Sequence, residues 1–138
     1  MRSLNAYLSF KDNAREAMGF YQSVFGGTLD VSTFGEFPGM THDDADNDLV
    51  IHSHLHTDDG LVLMASDTPS PMPYHEPAGI SLAFGGDDEQ AIRACWDALS
   101  DGGTVTMPLA PPPWGGQFGM LVDRFGISWM VTIDESAG

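Results

Sequence analysis

Cysteine is nearly absent from this sequence. Cys95 stands alone among 138 residues, which excludes an intrachain disulfide and any metal site built from several thiolates. Cations are almost as scarce. Five Lys and Arg, with Lys11 the single lysine, face twenty Asp and Glu, for a net charge of −15 at pH 7. A surface so acidic repels phosphate backbones and anionic lipid, so neither nucleic acid nor a membrane is an expected partner. No apolar run approaches the ~20 residues that span a bilayer. The first residues pass straight into alternating, strand-like sequence, so no signal peptide is expected and the cytoplasm is the expected compartment. A glycine-rich loop between a strand and a helix, the cradle of a dinucleotide-type cofactor, is also missing. No cofactor is expected.

What is present is globular and rich in turns: 42% hydrophobic residues, 18% charged, 16 Gly and 9 Pro. A chain of this length forms one domain with a core of its own. Its organisation is a pattern read twice. Leu4 to Phe10 alternates as a strand. Asn13 reads as a helix N-cap with Glu16 as its capping-box partner. Apolar residues at Ala14, Ala17, Met18, Tyr21, Val24 and Phe25 mark one helical face, and Gly26-Gly27 ends it. Strands are expected over 28–34, 49–57 and 61–66, the last two joined by the hairpin signal Asp58-Asp59-Gly60. The order then restarts. Ile80, Leu82 and Phe84 alternate as the core side of a strand. Asp87 caps a helix carrying Ile92, Cys95, Trp96 and Leu99, and Gly102-Gly103-Thr104 repeats Gly26-Gly27-Thr28. Strands are expected near 104–109, 117–122 and 128–133. The fold class is therefore α+β: two βαβββ modules, 1–67 and 79–135, joined by a Pro-rich linker, 68–78, within a single domain 1–138. Neither module is large enough to bury its sheet alone.

The pattern carries specific residues: Tyr7-Leu8-Ser9-Phe10, Phe20-Tyr21, Phe25-Gly26-Gly27, Val50-Ile51-His52 and Met64-Ala65-Ser66-Asp67. In the second half they are Gly102-Gly103-Thr104-Val105-Thr106-Met107-Pro108, Trp114-Gly115, Phe118-Gly119, Asp123-Arg124-Phe125-Gly126 and Trp129. Over the whole chain this resembles the vicinal-oxygen-chelate superfamily of glyoxalases, bleomycin-resistance proteins and extradiol dioxygenases. Within it, the sequence is most similar to the PhnB-like branch, also labelled 3-demethylubiquinone methyltransferase-like. The resemblance implies a curved mixed sheet with helices on its outside, a pocket on the sheet, and a homodimer. It also implies where a metal would sit, since metal-using members hold an ion with side chains from the first and last strand of each module. Those positions correspond to Asn5, Met64, Gly79 and Met130, and a slip of one residue reaches Ala6, Leu63, Ala65, Ile80 or Trp129. None of these makes a ligand set for a hard or borderline cation. No metal is expected there, and the methyltransferase label finds no cofactor loop to support it.

Strand alternation sets Asn5, Tyr7, Ser9, His52, His54, Met64, Ser66, Ser81 and Met130 on one face, away from Leu8, Phe10, Leu63, Leu82 and Val131 beneath the helices. With Trp114 of the 111–116 loop, the first set is the expected ligand-binding site. His52 and Asp67 are the candidate acid–base residues. His52, His54 and His56 share a face and converge at a spacing that suits zinc, with Asp67 or His42 as a further ligand; the plainer reading is a polar sheet face lining a wet cleft. Cys95 is expected to be buried beside Trp96, Trp129 and Phe125 are expected in the core, and the acidic stretch 41–48 is expected in solvent. Three functions compete. The first is a binding protein for a small, partly aromatic or cationic molecule, assembled as a homodimer with Met40, Met72, Met107 and Trp114 at its rim. The second is a metal-dependent isomerase, lyase or dioxygenase using His52, His54 and His56. The third is a metal-free enzyme using His52 and Asp67.

Overall fold

The structure is a computed structural model and describes residues 2–37, 39, 44–70 and 72–135. The chain divides into two compact units between His75 and Glu76, inside the Pro-rich stretch. The first contains β1 (Ala6–Phe10), α1 (Ala14–Phe25), β2 (Thr28–Thr33), two short 3-10 turns (Phe34–Glu36 and Asp44–Asp46), β3 (Val50–His56) and β4 (Val62–Asp67). Its strands lie in the order β1-β4-β3-β2, with β1 parallel to β4 and the other pairs antiparallel. The second contains β5 (Leu82–Gly86), α2 (Glu89–Ser100), β6 (Thr104–Ala110), β7 (Gln117–Val122) and β8 (Ser128–Ile133). Its order, β5-β8-β7-β6, is the same topology, again with one parallel pair. The two expected βαβββ modules are therefore present, each with its own open four-stranded mixed sheet.

In each module one sheet face is covered by the helix. Ala14, Ala17, Met18 and Tyr21 are the buried stripe of α1, which packs across β2, β3 and β4. Phe10, Leu55, Leu63 and Ala65 form the buried sheet face of that module. Full burial of Met18 and Tyr21 contributes roughly 2 kcal/mol each. In the second module α2 buries Ile92, Trp96 and Leu99. Gly119 of β7 leaves room for the Trp96 ring, whose carbons would meet a Cβ there at 2.7 Å. Leu121, Trp129 and Val131 are buried on that sheet.

The repeated Gly-Gly-Thr exits have one cause. Gly26 and Gly102 take positive φ, 74° and 77°, to leave the helix. The glycine that follows each passes so close to the neighbouring strand that a Cβ would overlap a carbonyl oxygen, that of His56 for Gly27 and that of Val122 for Gly103. The threonines then pair with those same residues, Thr28 with His56 and Thr104 with Val122.

Several local expectations are corrected. Asn13 precedes α1 but makes no side-chain cap. Asp67 does it instead from the end of β4: one carboxylate oxygen accepts from Ala14 N at 2.9 Å and the other from Val50 N at 2.9 Å. The cap of α2 is Asp88, one residue beyond Asp87, with its carboxylate accepting from Ala91 N. Ile80 lies outside the core, 75% exposed, because β5 begins only at Leu82. Phe125 and Cys95 are half-buried. Within the acidic stretch Asp46 is buried, accepting from the Ser70 N–H at 3.1 Å and the Ser70 hydroxyl at 2.7 Å. Thr41, His42 and Asp43 of that stretch, and Met40 before it, lie outside the described residues.

Candidate functional site

The face of the first sheet that α1 leaves uncovered is polar. Cross-strand register puts Tyr7 opposite Met64 and Ser9 opposite Ser66, then His54 opposite Met64 and Asp30 opposite His54. Asn5 precedes β1 and donates from its amide to Ser3 Oγ at 3.5 Å. The expected residues Tyr7, Ser9, His52, His54, Met64 and Ser66 thus share one face, and Leu8, Phe10 and Leu63 lie on the other.

Two clusters stand on this face. In the first, Tyr7 is 48% exposed and reaches over β4 to His52. Their rings are near-parallel, 25° apart with centroids at 5.8 Å, and the Tyr7 hydroxyl lies 3.2 Å from His52 Nδ1. Strands two apart in a sheet are separated by about 10 Å, so both side chains lean inward across β4. In the second, His54 and His56 lean together with ring centroids at 5.3 Å and their Nδ1 atoms 3.4 Å apart. Asp30 completes this group, all three offering a ligand atom within 4.8 Å of the others.

The histidine run therefore splits. His52 belongs with Tyr7, and His54 and His56 belong with Asp30. Asp67 joins neither, because it is 4% exposed on the opposite face and bonded to two backbone N–H groups. It is a structural carboxylate and does not meet His52 as an acid–base partner, nor the histidines as a third ligand. Asp30 is the residue that sequence reading missed. Its signal was its place in the expected strand 28–34, but the long connection from β2 to β3 hides the register that brings it opposite His54.

Of the remaining site candidates, Ser81 precedes β5, and Met130 in β8 opposes Ala83 in β5 and Met120 in β7. Trp114, in the β6–β7 loop, is 76% exposed and meets Phe118 in a T-shaped contact, ring centroids 6.2 Å apart. A cleft of about 530 Å³ lies beside that loop, lined by Asp87, Glu89, Pro111, Gly115, Gly116, Gln117, Ile133, Asp134 and Glu135. There Glu89 accepts from Gln117 Nε2 at 2.7 Å and from Arg93 Nε at 3.2 Å. The Gln117 hydrogen bond, followed by the Arg93 hydrogen bond and charge, holds the Glu89 carboxyl below its ordinary value.

The donor set at Asn5, Met64, Gly79 and Met130 is an amide, two thioethers and a residue without a side chain. It does not fit a hard or borderline divalent cation. The structure also gives the comparison between modules a residue-by-residue form. Where the first module has Tyr7, His52, His54 and His56, the registers put Ala83, Phe118, Met120 and Val122 in the second, and Met107 takes the place of Asp30. The fold is thus built once without the tyrosine, histidine and aspartate side chains that mark the first module.

A family model described as 3-demethylubiquinone-9 3-methyltransferase matches residues 2–132. Protein PA1353 from Pseudomonas aeruginosa is 36% identical in sequence with a TM-score of 0.89, over 99% of this chain and 100% of its own. The PhnB protein from Bacillus cereus is 26% identical with a TM-score of 0.74, over 96% and 99% respectively. A glyoxylase/bleomycin resistance protein/dioxygenase domain from Frankia sp. EAN1pec shares the fold, with a TM-score of 0.67 at 14% identity over 98% of both chains.

Proposed function

The chain belongs to the 3-demethylubiquinone-9 3-methyltransferase family, the PhnB-like branch of the glyoxalase/bleomycin-resistance superfamily, and we propose that it binds a small, flat, cationic molecule on the Tyr7–His52 face as a cytoplasmic homodimer. The observation that carries this reading is the half-exposed aromatic pair itself. A tyrosine on a solvent-facing sheet surface, stacked on an imidazole and tied to it through its hydroxyl, is an ordered platform on which a second aromatic can lie. A cation on that ligand gains from the ring quadrupole and from the −15 charge of the chain. Ser9 and Ser66 supply hydroxyls beside the platform, and Met64 an adaptable apolar wall. The homodimer is supported by the open sheets and by exposed apolar side chains at Met72, Val105, Met107 and Trp114.

The test is titration of the chain with a phenanthridinium dye, followed by dye fluorescence in the presence of a chelator. Saturable binding at one dye per chain is expected, weakened about 10-fold by Tyr7→Ala. Unsaturable binding, or equal binding by the variant, refutes the reading.

A further inference from the structure

We propose that Asp30, His54 and His56 form a binding site for a borderline divalent transition metal, of which Zn²⁺ is the representative. The argument begins with distance. Residues two apart on a strand are separated by about 6.7 Å, yet the His54 and His56 rings approach to 5.3 Å and turn their Nδ1 atoms to within 3.4 Å. Two nitrogens bound to zinc at about 2.0–2.1 Å in a tetrahedron lie about 3.4 Å apart. The two imidazoles are therefore already set at a ligand–ligand edge. Asp30 stands directly across the antiparallel pair from His54 and offers a carboxylate oxygen within 4.8 Å of a ring nitrogen of each histidine. It makes no ion pair among the described residues, so its oxygen is available to close the remaining gap by a side-chain rotation. Imidazole and carboxylate together suit zinc and its neighbours in the first transition row, while Ca²⁺ and Mg²⁺ prefer an all-oxygen shell.

The module comparison removes the simplest structural explanation. Met107, Met120 and Val122 occupy the matching places in the second module, so the sheet does not need these polar groups to form. This site shares no residue with the Tyr7–His52 platform and uses none of Asn5, Met64, Gly79 and Met130. Three protein ligands leave one tetrahedral position for water or another donor.

The competing account of the 3.4 Å contact is a hydrogen bond between two neutral imidazoles, and calorimetry of Zn²⁺ binding to the tag-free, chelator-stripped full chain separates the two. One Zn²⁺ per chain is expected. His54→Ala and His56→Ala should each weaken binding by about 100-fold and Asp30→Asn by about 10-fold, while His52→Ala should change it less than about 2-fold. Co²⁺ in place of Zn²⁺ should give tetrahedral absorption bands that disappear in His54→Ala. His54→Gln and His56→Gln, which keep a polar group on the face, serve if an alanine variant fails to fold. A chain that takes up no Zn²⁺, one whose binding survives loss of either histidine, or one whose binding is lost with His52 instead, overturns the proposal. The dye titration contains chelator, so failure of this site and failure of the platform are read independently.

Discussion

Asp67 shows how one residue type divides between chemistry and architecture. Its carboxylate stands within the same strand as Met64 and Ser66, but the period of two turns it to the covered face, where both oxygens meet backbone N–H groups. Asp67→Asn puts an amide NH₂ against one of those donors. The variant is expected to lose about 2 kcal/mol of stability in urea denaturation, with dye binding at Tyr7 unchanged. A residue acting with His52 would show the reverse: little loss of stability and a changed site. The same division explains why the site was only partly legible. Alternation alone places Tyr7, Ser9, His52, His54, Met64 and Ser66 together, since it needs nothing beyond the strand. Asp30 requires a cross-strand register set by residues 34–49, and no local pattern supplies it.

At the scale of elements, the two Gly-Gly-Thr exits make the same demand on different backbones. Gly103 has ordinary φ, so its requirement is purely one of space against the Val122 carbonyl. Gly103→Ala is expected to cost about 2–3 kcal/mol, because the strand pair β6–β7 must move apart to admit a methyl group; thermal unfolding followed by circular dichroism checks this. Gly19→Ala serves as the contrast, because nothing lies within 4 Å of the place its Cβ would take and its φ is ordinary. The boundaries of the strands and helices were readable to within a residue or two for this reason: turns, alternation and helical spacing are local. Ile80 was misplaced for a related reason. Its alternation with Leu82 and Phe84 continues backwards past the point where pairing begins, and apolar spacing does not mark where a strand loses its neighbour.

The whole molecule carries its charge into any association. Two chains of −15 repel one another, so the proposed homodimer should tighten as salt screens that repulsion. Sedimentation from about 0.05 to 0.5 M NaCl should show the dimer fraction rising at constant protein concentration, and a monomer throughout the series would remove the dimer from the functional reading. The two modules also differ in a way that concerns how the chain is made. Asp88 lies immediately before α2, so that helix has its cap as soon as it leaves the ribosome. The helix of the first module waits for a carboxylate 53 residues downstream. Residues 14–25 are therefore synthesised long before the group that secures their first turn exists, and loop closure over that span must come first. The amino-terminal module, although made earlier, is the one whose helix is completed by long-range closure, and its polar face can be presented only after β4 has been added.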